Sequence, residues 1–357
     1  MPLFINYPAW IHPEIFPGVP FLGMIRWYGL MYVFAFMTAY FVLRKLLQEG
    51  ALDSPGEKAT EDDIFSFIAT GIIFLLLGAR IFSTLVYNQY EPSNPASVNY
   101  RAKPWLIFWP FNSSGEFTGL AGMSYHGGFI GGLIGMLLWC LIRKKPVMKW
   151  IDAMTTAIPA GYTFGRIGNF LNGELYGRIT KAPWGIIFPG AERFPLSLEW
   201  ARSFAEQCGL EASGAWVNLP RHPSQLYEAF FEGIALFLLV WLTHKKKPFD
   251  GFSGALYTIG YGTARFIIEY FREPDAEIGY RIAADPSAPI YTNTSLLNLS
   301  TGQILCALMI AGGIGVAVFC QIKSRRLSSS SAASAPQARS QKNTARRPRK
   351  NKRRRPR

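Results

Sequence analysis

Two arginines, Arg166 and Arg265, lie within apolar stretches of the chain. A charged side chain inside an apolar span is costly and usually marks a functional site. Arg265 shares one helical face with Tyr261 and Glu269, because neighbouring members of this trio are four residues apart. Glu269 is therefore placed to pair with Arg265 and to hold its guanidinium. A guanidinium donates two parallel hydrogen bonds to a phosphate, so the two arginines together predict a clamp for the phosphate of a lipid.

More polar side chains lie near the ends of the apolar stretches. His126 begins one stretch, Tyr227 and Glu228 begin another, and Arg80 lies near the end of a third. A histidine changes its charge near neutral pH and can take a proton from a substrate. A bond from His126 to a carbonyl at a helix start is the other interpretation. Arg80 can equally brace the bundle or bind a ligand, and Glu228 with Glu232 can form a polar seam between spans.

Seven apolar stretches approach or reach the roughly 20 residues that a helix needs to cross the hydrocarbon of a bilayer. They predict an all-α integral membrane protein, a bundle of about seven transmembrane helices. The fourth and sixth stretches are the least hydrophobic, and they carry Arg166 and Arg265. The predicted spans are residues 22–43, 64–87, 124–142, 151–171, 225–243, 252–271 and 302–322.

Lysine and arginine in short loops predict the orientation of the bundle, since cytoplasmic loops carry an excess of both. The loops after the third and fifth spans are basic, as are the ends of the first and seventh. With seven spans all four fall on one side, which predicts a periplasmic N-terminus and a cytoplasmic C-terminus. Both arginines then lie about 20 Å into a core of about 30 Å, in its outer half. Three long segments emerge on that periplasmic side, residues 88–123, 172–224 and 272–301.

The composition is typical of a protein partly surrounded by lipid. Hydrophobic residues make up 49% of the chain and charged residues 17%, against a usual charged share of about 25%. The net charge of +14 resides in residues 323–357, which hold 14 Lys or Arg and no Asp or Glu. They predict a disordered cytoplasmic tail that touches anionic lipid, after a transmembrane domain of residues 1–322 that carries the candidate site. Nucleic-acid binding is not expected, because no aromatic side chains interleave with the basic ones.

The spacing of cysteines and histidines argues against a disulfide framework and against a metal site. The cysteines Cys140, Cys208, Cys306 and Cys320 form no CxxC pair. The four histidines are scattered along the chain, without the spacing of metal ligands. The sequence therefore predicts chemistry without a metal or another cofactor.

Several ordered segments of the chain resemble the prolipoprotein diacylglyceryl transferase family. The segment GRIGNFLNGELYGR, residues 165–178, resembles the highly specific signature of that family. The resemblance extends along most of residues 5–322, and the basic tail lies outside it. Further similar segments are WYGLMY (27–32), GARI (78–81), MSYHGGFIGG (123–132), RHPSQLYE (221–228) and YGTARFIIEYFREPD (261–275).

The resemblance implies an enzyme of the bacterial inner (cytoplasmic) membrane whose site faces the periplasmic leaflet. It implies transfer of the diacylglyceryl group of phosphatidylglycerol to the lipobox cysteine thiol in a prolipoprotein signal peptide. A thioether forms and glycerol 1-phosphate leaves, as the first step of bacterial lipoprotein maturation. Neither substrate follows from composition or spacing. Since the peptide substrate supplies the sulfur, no nucleophile of the enzyme and no cofactor are required.

Position by position, the resemblance also implies a set of site residues. Arg166 and Arg265 match the family's essential arginines and are expected to hold the phosphate as it leaves. His126 matches its histidine and is expected to take the thiol proton, unless it only orients lipid while the arginines lower the thiol pKa. The residues expected to bind phosphatidylglycerol are Arg166, Asn169, Glu174, Gly177, Tyr28, Tyr261 and Glu269.

Other functional classes share some of these features. A transporter also has intramembrane arginines and glycine-rich, broken helices, but its polar groups lie at the midplane between repeats, and this chain has no internal repeat. A structural scaffold does not need polar groups from five spans at one depth. Arg166 and Arg265 can also brace a bundle through buried pairs alone. Among enzymes, another lipid-headgroup transferase stays open, although the aspartate clusters of metal-dependent types are absent.

Overall fold

In a computed structural model the chain is a bundle of long helices with small paired strands between them. The structure describes residues 4–19, 23, 25–88, 90–91, 93, 97–111, 115, 122–210, 214–274, 279–284 and 289–334. The helices within these residues are α1 (Trp27–Gln48), α2 (Glu61–Tyr87), α3 (Tyr125–Ile142), α4 (Val147–Leu171), α5 (Glu199–Gln207), α6 (Ser224–Lys246), α7 (Phe252–Ile268) and α8 (Thr301–Ser334). α2 ends in a π turn at Ser83–Tyr87, and a π turn interrupts α6 at Ala229–Ala235.

Local signals set several helix ends. α2 begins after Thr60, whose hydroxyl accepts from the N–H of Asp63 while the Asp63 carboxylate accepts from the N–H of Thr60; this reciprocal pair satisfies two free donors. α4 follows Pro146, which cannot donate a backbone hydrogen bond. Soon after α4 ends, Gly173 takes a φ of 65°, a left-handed conformation that favours glycine.

α2 and α3 pack closely because glycines remove side chains from their interface. A Cβ on Gly78 would lie 2.4 Å from the carbonyl oxygen of Gly127, and one on Gly131 would lie 2.2 Å from that of Phe74. Small residues allow this approach of two backbones within a membrane. α1 packs on α4, α7 packs on α8, and α4 also contacts α6 and α7. α4 is therefore the helix around which the candidate site is assembled.

Aromatic side chains fill the bundle near the start of α4. The ring of Trp150 is fully buried and lies 5.0 Å from that of Phe67 and 4.6 Å from that of Trp139. Lys145, in the turn before α4, pairs with Asp63 of α2 at 3.0 Å. Apolar packing and this buried ion pair together hold α2, α3 and α4 at the end remote from the arginines.

Five of the seven long helices are long and apolar enough to cross a membrane: α1, α2, α3, α6 and α8. The other two, α4 and α7, correspond to the stretches that the sequence predicts to be least hydrophobic. α4 lies against α1, α6 and α7, so its polar side chains can meet protein instead of lipid. The prediction of an all-α, multi-pass membrane bundle is confirmed.

Short strands join the segments outside the bundle. β1 pairs with β2 in parallel, while β3 with β4 and β5 with β6 are antiparallel. Arg221 is fully buried among these segments, where it contacts the rings of Tyr176 and Phe194 and pairs with Glu273. The strands are β1 (Ile5–Asn6), β2 (Ile186–Ile187), β3 (Arg193–Pro195), β4 (Trp216–Asn218), β5 (Tyr280–Ile282) and β6 (Leu299–Ser300).

Several predicted boundaries differ from the structure by a few residues, and the largest differences are at the start of α1 and the end of α8. α1 begins at Trp27 instead of residue 22, because the backbone of Arg26 is extended. α8 continues to Ser334, so residues 323–334 of the predicted disordered tail are helical; extending a helix that has already formed needs no new nucleus. The rest of that tail, residues 335–357, lies outside the described residues.

Candidate active site

The two intramembrane arginines meet at one carboxylate of α6. Nε of Arg166 lies 2.8 Å from Oε2 of Glu228, and Nη1 of Arg265 lies 3.0 Å from the same oxygen. The Glu228 side chain has no solvent exposure, and those of Arg166 and Arg265 retain only 16% and 11%. The structure therefore brings the predicted arginine pair together, with a buried carboxylate at the point where the guanidiniums converge.

Two further carboxylates surround the guanidinium of Arg265. Glu232, one turn after Glu228, lies 3.7 Å from Nη1, and Glu269 lies 3.1 Å from Nη2. The Glu269 pair is the one that the spacing of α7 predicts. The hydroxyl of Ser300, just before α8, donates to Oε1 of Glu269 at 3.0 Å. Two guanidiniums thus face three carboxylates, and removing one partner from such a buried set leaves an uncompensated charge.

Tyr162 links the two sides of this cluster. Its hydroxyl accepts from Nε of Arg166 at 2.6 Å and donates to the carboxylate of Glu232. Its ring lies 4.8 Å below the guanidinium of Arg166, within the range of a cation–π contact. Tyr162 also meets the ring of Tyr261 edge to face, with the centroids 5.9 Å apart. α4 and α7 are therefore in contact one turn before their arginines.

The π turn of α6 lets α4 come close enough for these contacts. A Cβ on Gly233 would lie 2.2 Å from Oγ1 of Thr163 and 3.1 Å from its Cα. The hydroxyl of Thr163 lies 3.5 Å from the carbonyl oxygen of Ala229, at the start of the π turn. π turns are frequent at functional sites, and this one carries Glu232 and directly follows Glu228.

The end of α4 extends the cluster through a chain of hydrogen bonds. Nη1 of Arg166 donates to Oδ1 of Asn169 at 3.4 Å, and Nδ2 of Asn169 donates to Oε1 of Glu174 at 3.0 Å. Nε2 of Gln225 donates to the carbonyl oxygen of Glu174 at 2.6 Å. Asn169 is buried and Glu174 is exposed. Three residues of the signature segment are thus joined, from a buried arginine to a carboxylate at the surface.

Tyr28 and Tyr261 lie beside α4 from different helices. Tyr28 packs over Gly168, where a Cβ would lie 3.3 Å from its Cδ2, and its hydroxyl lies 3.1 Å from that of Tyr32. Tyr261 contacts Tyr162 as described above. Among the residues that the structure describes, neither hydroxyl bonds to an arginine.

His126 lies apart from the arginine cluster, on the first turn of α3. Its ring is exposed, and Nδ1 lies 2.7 Å from the hydroxyl of Tyr87. The preceding residue, Tyr125, is close enough to Tyr261 for the two hydroxyl groups to interact electrostatically. Within the described part of the chain, no hydrogen bond or ion pair joins His126 to either arginine. If all three act on one reaction, the substrate must lie between them.

Gly177 provides room for the backbone and offers no side chain to a ligand. A Cβ there would lie 2.2 Å from the carbonyl oxygen of Phe271 and 2.9 Å from Cβ of His222. Its N–H donates to the carbonyl oxygen of His222 at 2.8 Å. Burial lowers the pKa of His222 to about 4, so this histidine is neutral at neutral pH. Gly177 therefore joins the segment after α4 to the segments before α6 and after α7.

Arg80 braces the bundle in this structure. Its Nε donates to the carbonyl oxygen of Ile107 at 2.5 Å, and its Nη1 donates to that of Gly122 at 3.3 Å. The guanidinium also lies 5.7 Å from the centroid of the Tyr100 ring. Of the two interpretations that the sequence leaves open, these contacts favour bracing, because they hold the segment between α2 and α3 against α2.

Sequence reasoning missed Tyr162 and treated Glu228 and Glu232 only as a seam. The signal for Tyr162 was available, because it precedes Arg166 by four residues and must share its helical face. The two glutamates have the same spacing, which predicts a common face. It does not predict which helix they meet, since that depends on packing between distant segments.

The guanidiniums are the groups of the cluster that can bind an anion. Nη1 of Arg265 is buried and lies at ion-pair distance from Glu228, without an aligned hydrogen bond among the described residues. An anion that binds there shares the guanidinium with carboxylates, and a donor fixed in this way can stabilise charge that develops in a transition state. No group of three His, Cys, Asp or Glu side chains in the described ranges could hold a metal ion.

Comparison with known proteins places this geometry in a family. A family model described as prolipoprotein diacylglyceryl transferase matches residues 19–319. Curated relatives named phosphatidylglycerol–prolipoprotein diacylglyceryl transferase include those of the following three bacteria. That of Treponema denticola is 52% identical over 340 residues, covering 92% of this chain and 97% of the relative. That of Treponema pallidum is 51% identical, with coverages of 88% and 94%, and that of Chlorobaculum tepidum is 40% identical, with coverages of 88% and 91%. With Arg166 on the segment that resembles the family signature and Arg265 on a second similar segment, the chain belongs to the prolipoprotein diacylglyceryl transferase family.

Proposed function

We propose that the chain transfers the diacylglyceryl group of phosphatidylglycerol to the lipobox cysteine of a prolipoprotein signal peptide. The extensive identity with relatives of that name supports the reaction. The observation that carries it at the level of the site is the pair Arg166 and Arg265, whose guanidiniums meet within a membrane bundle. A phosphodiester at a lipid headgroup is the anion that such a pair suits.

The two arginines hold the phosphate and stabilise it as the leaving group. A bond forms between the cysteine sulfur and a glycerol carbon, the bond from that carbon to the phosphate oxygen breaks, and glycerol 1-phosphate leaves with the bonding electrons. Negative charge therefore grows on a phosphate oxygen in the transition state, where a fixed guanidinium is most effective. Arginine suits this task better than lysine, because it stays charged in a poorly hydrated site.

His126 takes the proton of the thiol. A thiol has a reference pKa near 8.5, so most of it is protonated at neutral pH and needs a base. The Nδ1 of His126 lies beside the Tyr87 hydroxyl, which can fix the ring and leave Nε2 to face the substrate. The separation of His126 from the arginines fits this role, because the sulfur and the leaving oxygen lie on opposite sides of the attacked carbon.

The remaining predicted residues position the lipid headgroup. Asn169 and Glu174 extend from Arg166 toward the surface, along a path that a glycerol headgroup with its hydroxyls can follow. Tyr28 and Tyr261 flank that path, and Glu269 holds Arg265 in place. Gly177 contributes by allowing the tight packing of the segment that carries Glu174.

We place the enzyme in the bacterial inner membrane with the site toward the periplasmic leaflet. Lysine and arginine concentrate at the ends of the helices remote from the arginine cluster, as in Lys145 and Lys247, and the basic residues of α8 lie at its end. Positive charge favours the cytoplasmic side. Phosphatidylglycerol would reach the cluster from the outer leaflet, and the signal peptide would reach it from the same side.

Formation of the thioether tests this function directly. The purified protein would be incubated with phosphatidylglycerol and a fluorescent lipobox peptide, beside a peptide with serine in place of cysteine and beside the Arg265→Ala enzyme. We expect the peptide to gain the mass of one diacylglyceryl group, and both controls to lack the gain. A folded enzyme that gives no product would overturn the proposal in favour of another headgroup reaction or lipid transport.

A further inference from the structure

α4 and α7 run side by side in the same direction and keep one register over most of their length. Three pairs of residues, each with one member on α4 and one on α7 or its N-cap, follow one another along the two helices. The two members of a pair contact each other or the same third residue, and they are 99 positions apart in the sequence. Because this difference in sequence number is the same for all three pairs, α4 and α7 neither shift along nor rotate about each other between the first pair and the last. The pairs are Asp152 with Gly251, Tyr162 with Tyr261, and Arg166 with Arg265.

The lowest of these levels is held by one carboxylate. Oδ2 of Asp152 accepts from the N–H of Gly251 at 2.9 Å, and Oδ1 accepts from the N–H of Gly254 at 3.0 Å. Lys247 pairs with Oδ2 at 3.0 Å. Asp152 is 3% exposed, so these bonds lie in a poorly hydrated site. Each carboxylate oxygen thus holds a different N–H at the start of α7.

α7 has no capping side chain of its own. Its N-cap residue is Gly251, with a φ of 97° and no side chain to accept from the first turn. The first turn of a helix has free N–H groups and a partial positive charge. The carboxylate of Asp152, on the neighbouring helix α4, accepts hydrogen bonds from these N–H groups and places a negative charge beside the positive end of α7. A Cβ on Gly254 would lie 3.2 Å from Cγ2 of Ile151, so the two backbones are close where the cap acts.

We propose that Asp152 is a positioning residue that sets the axial and rotational register of α7 against α4, and thereby brings Arg265 to Arg166. Asp152 precedes Arg166 by 14 residues, and Gly251 precedes Arg265 by the same number. At the helical rise, both distances are about 21 Å. Helices fixed together at the level of Asp152 therefore carry their arginines to one depth, where both reach Glu228.

A small error in the register of α7 against α4 near Asp152 displaces Arg265 enough to affect the reaction. A slip by one residue moves a helix by about 1.5 Å and turns its side chains by about 100°. A misplacement of about 1 Å can cost about 100-fold in rate. Asp152 touches neither the arginines nor their carboxylates, so its effect passes through the position of Arg265. The inference rests on the proposed role of the arginine pair.

The Asp152→Asn variant tests the register. An amide keeps the size of the side chain but can accept from only one of the two N–H groups. We expect kcat for thioether formation to fall at least about tenfold, with the KM for the lipobox peptide unchanged. The control Asp250→Asn removes a half-exposed acid of the same loop and should keep kcat within about twofold.

A double mutant separates positioning from loss of folded protein. If Asp152 acts through Arg265, Asp152→Asn should add little to the defect of Arg265→Lys, because coupled residues are not additive. The inference would be overturned if the fold-losses in kcat of the two single variants multiplied in the double mutant. It would also be overturned if the loss in kcat of Asp152→Asn equalled its loss of folded enzyme. Should Asp152→Asn fold poorly, Asp152→Glu keeps the charge and shifts the cap by one methylene group; we expect normal thermal stability with reduced kcat, and normal kcat would overturn the inference. A wild-type enzyme without activity would instead refute the proposed function.

Discussion

Nε of Arg166 lies 2.8 Å from a carboxylate oxygen of Glu228 that is wholly buried. Breaking such a pair by removal of one partner costs about 3–5 kcal/mol, because it leaves a charge without compensation. The arginine is therefore held in place before any substrate arrives. A phosphate that enters has to share the guanidiniums with this carboxylate, because Nη1 of Arg265 is buried and lies 3.0 Å from the same oxygen of Glu228.

Arg265→Lys should lower kcat/KM about 100-fold, the usual cost of removing one donor that stabilises a transition state. Lysine keeps the charge but lacks the planar fork that reaches phosphate, Glu228 and Glu269 at once. The measurement is steady-state thioether formation with phosphatidylglycerol and a lipobox peptide. Arg193→Lys, at an exposed position of β3, is the matched control and should retain full activity. Full activity in Arg265→Lys would disprove the bidentate role.

Tyr162→Phe should lower kcat/KM about tenfold, because it removes the hydroxyl that joins Arg166 to Glu232. Hydrogen bonds to charged groups contribute about 1.5–3 kcal/mol. The ring stays in place, so the cation–π contact with Arg166 is kept. Tyr257→Phe removes a hydroxyl from a ring that stacks on Tyr261 at 5.9 Å and has no bond to the arginines. Equal effects of the two variants would show that the hydroxyl of Tyr162 has no special role.

His126→Asn should reduce kcat/KM about 100-fold or more, the contribution expected of a general base. Tyr87→Phe removes only the hydrogen bond to Nδ1 and should have a smaller effect on kcat/KM. The base role is excluded by an asparagine variant with normal turnover and an unaltered pH profile.

His222→Gln should reduce the dependence of stability on pH. Burial lowers the pKa of His222 to about 4 in the folded protein, from a usual 6.5. Between these values the unfolded chain binds more protons, so stability is full above pH 6.5 and falls toward pH 4. The loss is about 3 kcal/mol. Unfolding of the detergent-solubilised protein at pH 7.5 and at acidic pH measures it. An unchanged pH dependence in the variant would contradict this assignment.

Gly233→Ala should destabilise the protein and lower its activity, because the added Cβ would lie 2.2 Å from Oγ1 of Thr163 and would push α4 away from α6. Overpacking of a tight interface costs about 1–3 kcal/mol. Gly312→Ala on α8 is the control, since a Cβ there meets nothing within 4 Å. Thermal unfolding and thioether formation should both distinguish the pair. Equal stability of the two variants would mean that the π turn can shift to accommodate the added Cβ without lowering the free energy of unfolding.

The predicted contacts agree with the structure where both residues lie on the same helix. The Glu269–Arg265 pair follows from spacing alone, because positions four apart on a helix must be neighbours. The weak hydropathy of α4 and α7 also has a structural counterpart, since both carry an arginine that meets carboxylates in the bundle. Tyr162 obeys the same local rule and was predictable from its distance to Arg166.

Relationships between helices were decided by tertiary packing. The sequence by itself determined the character of a multi-pass membrane bundle, the helical faces that bear charge, and the family resemblance that names the substrates. It did not determine that Glu228 lies between the arginines, that His126 stands apart on α3, or that Gly177 is a point of backbone contact. Spacing constrains neighbours along one helix, whereas the partner across an interface depends on how closely two backbones approach. Here that approach depends on the missing side chains of Gly233 and Gly254 and on the carboxylate of Asp152.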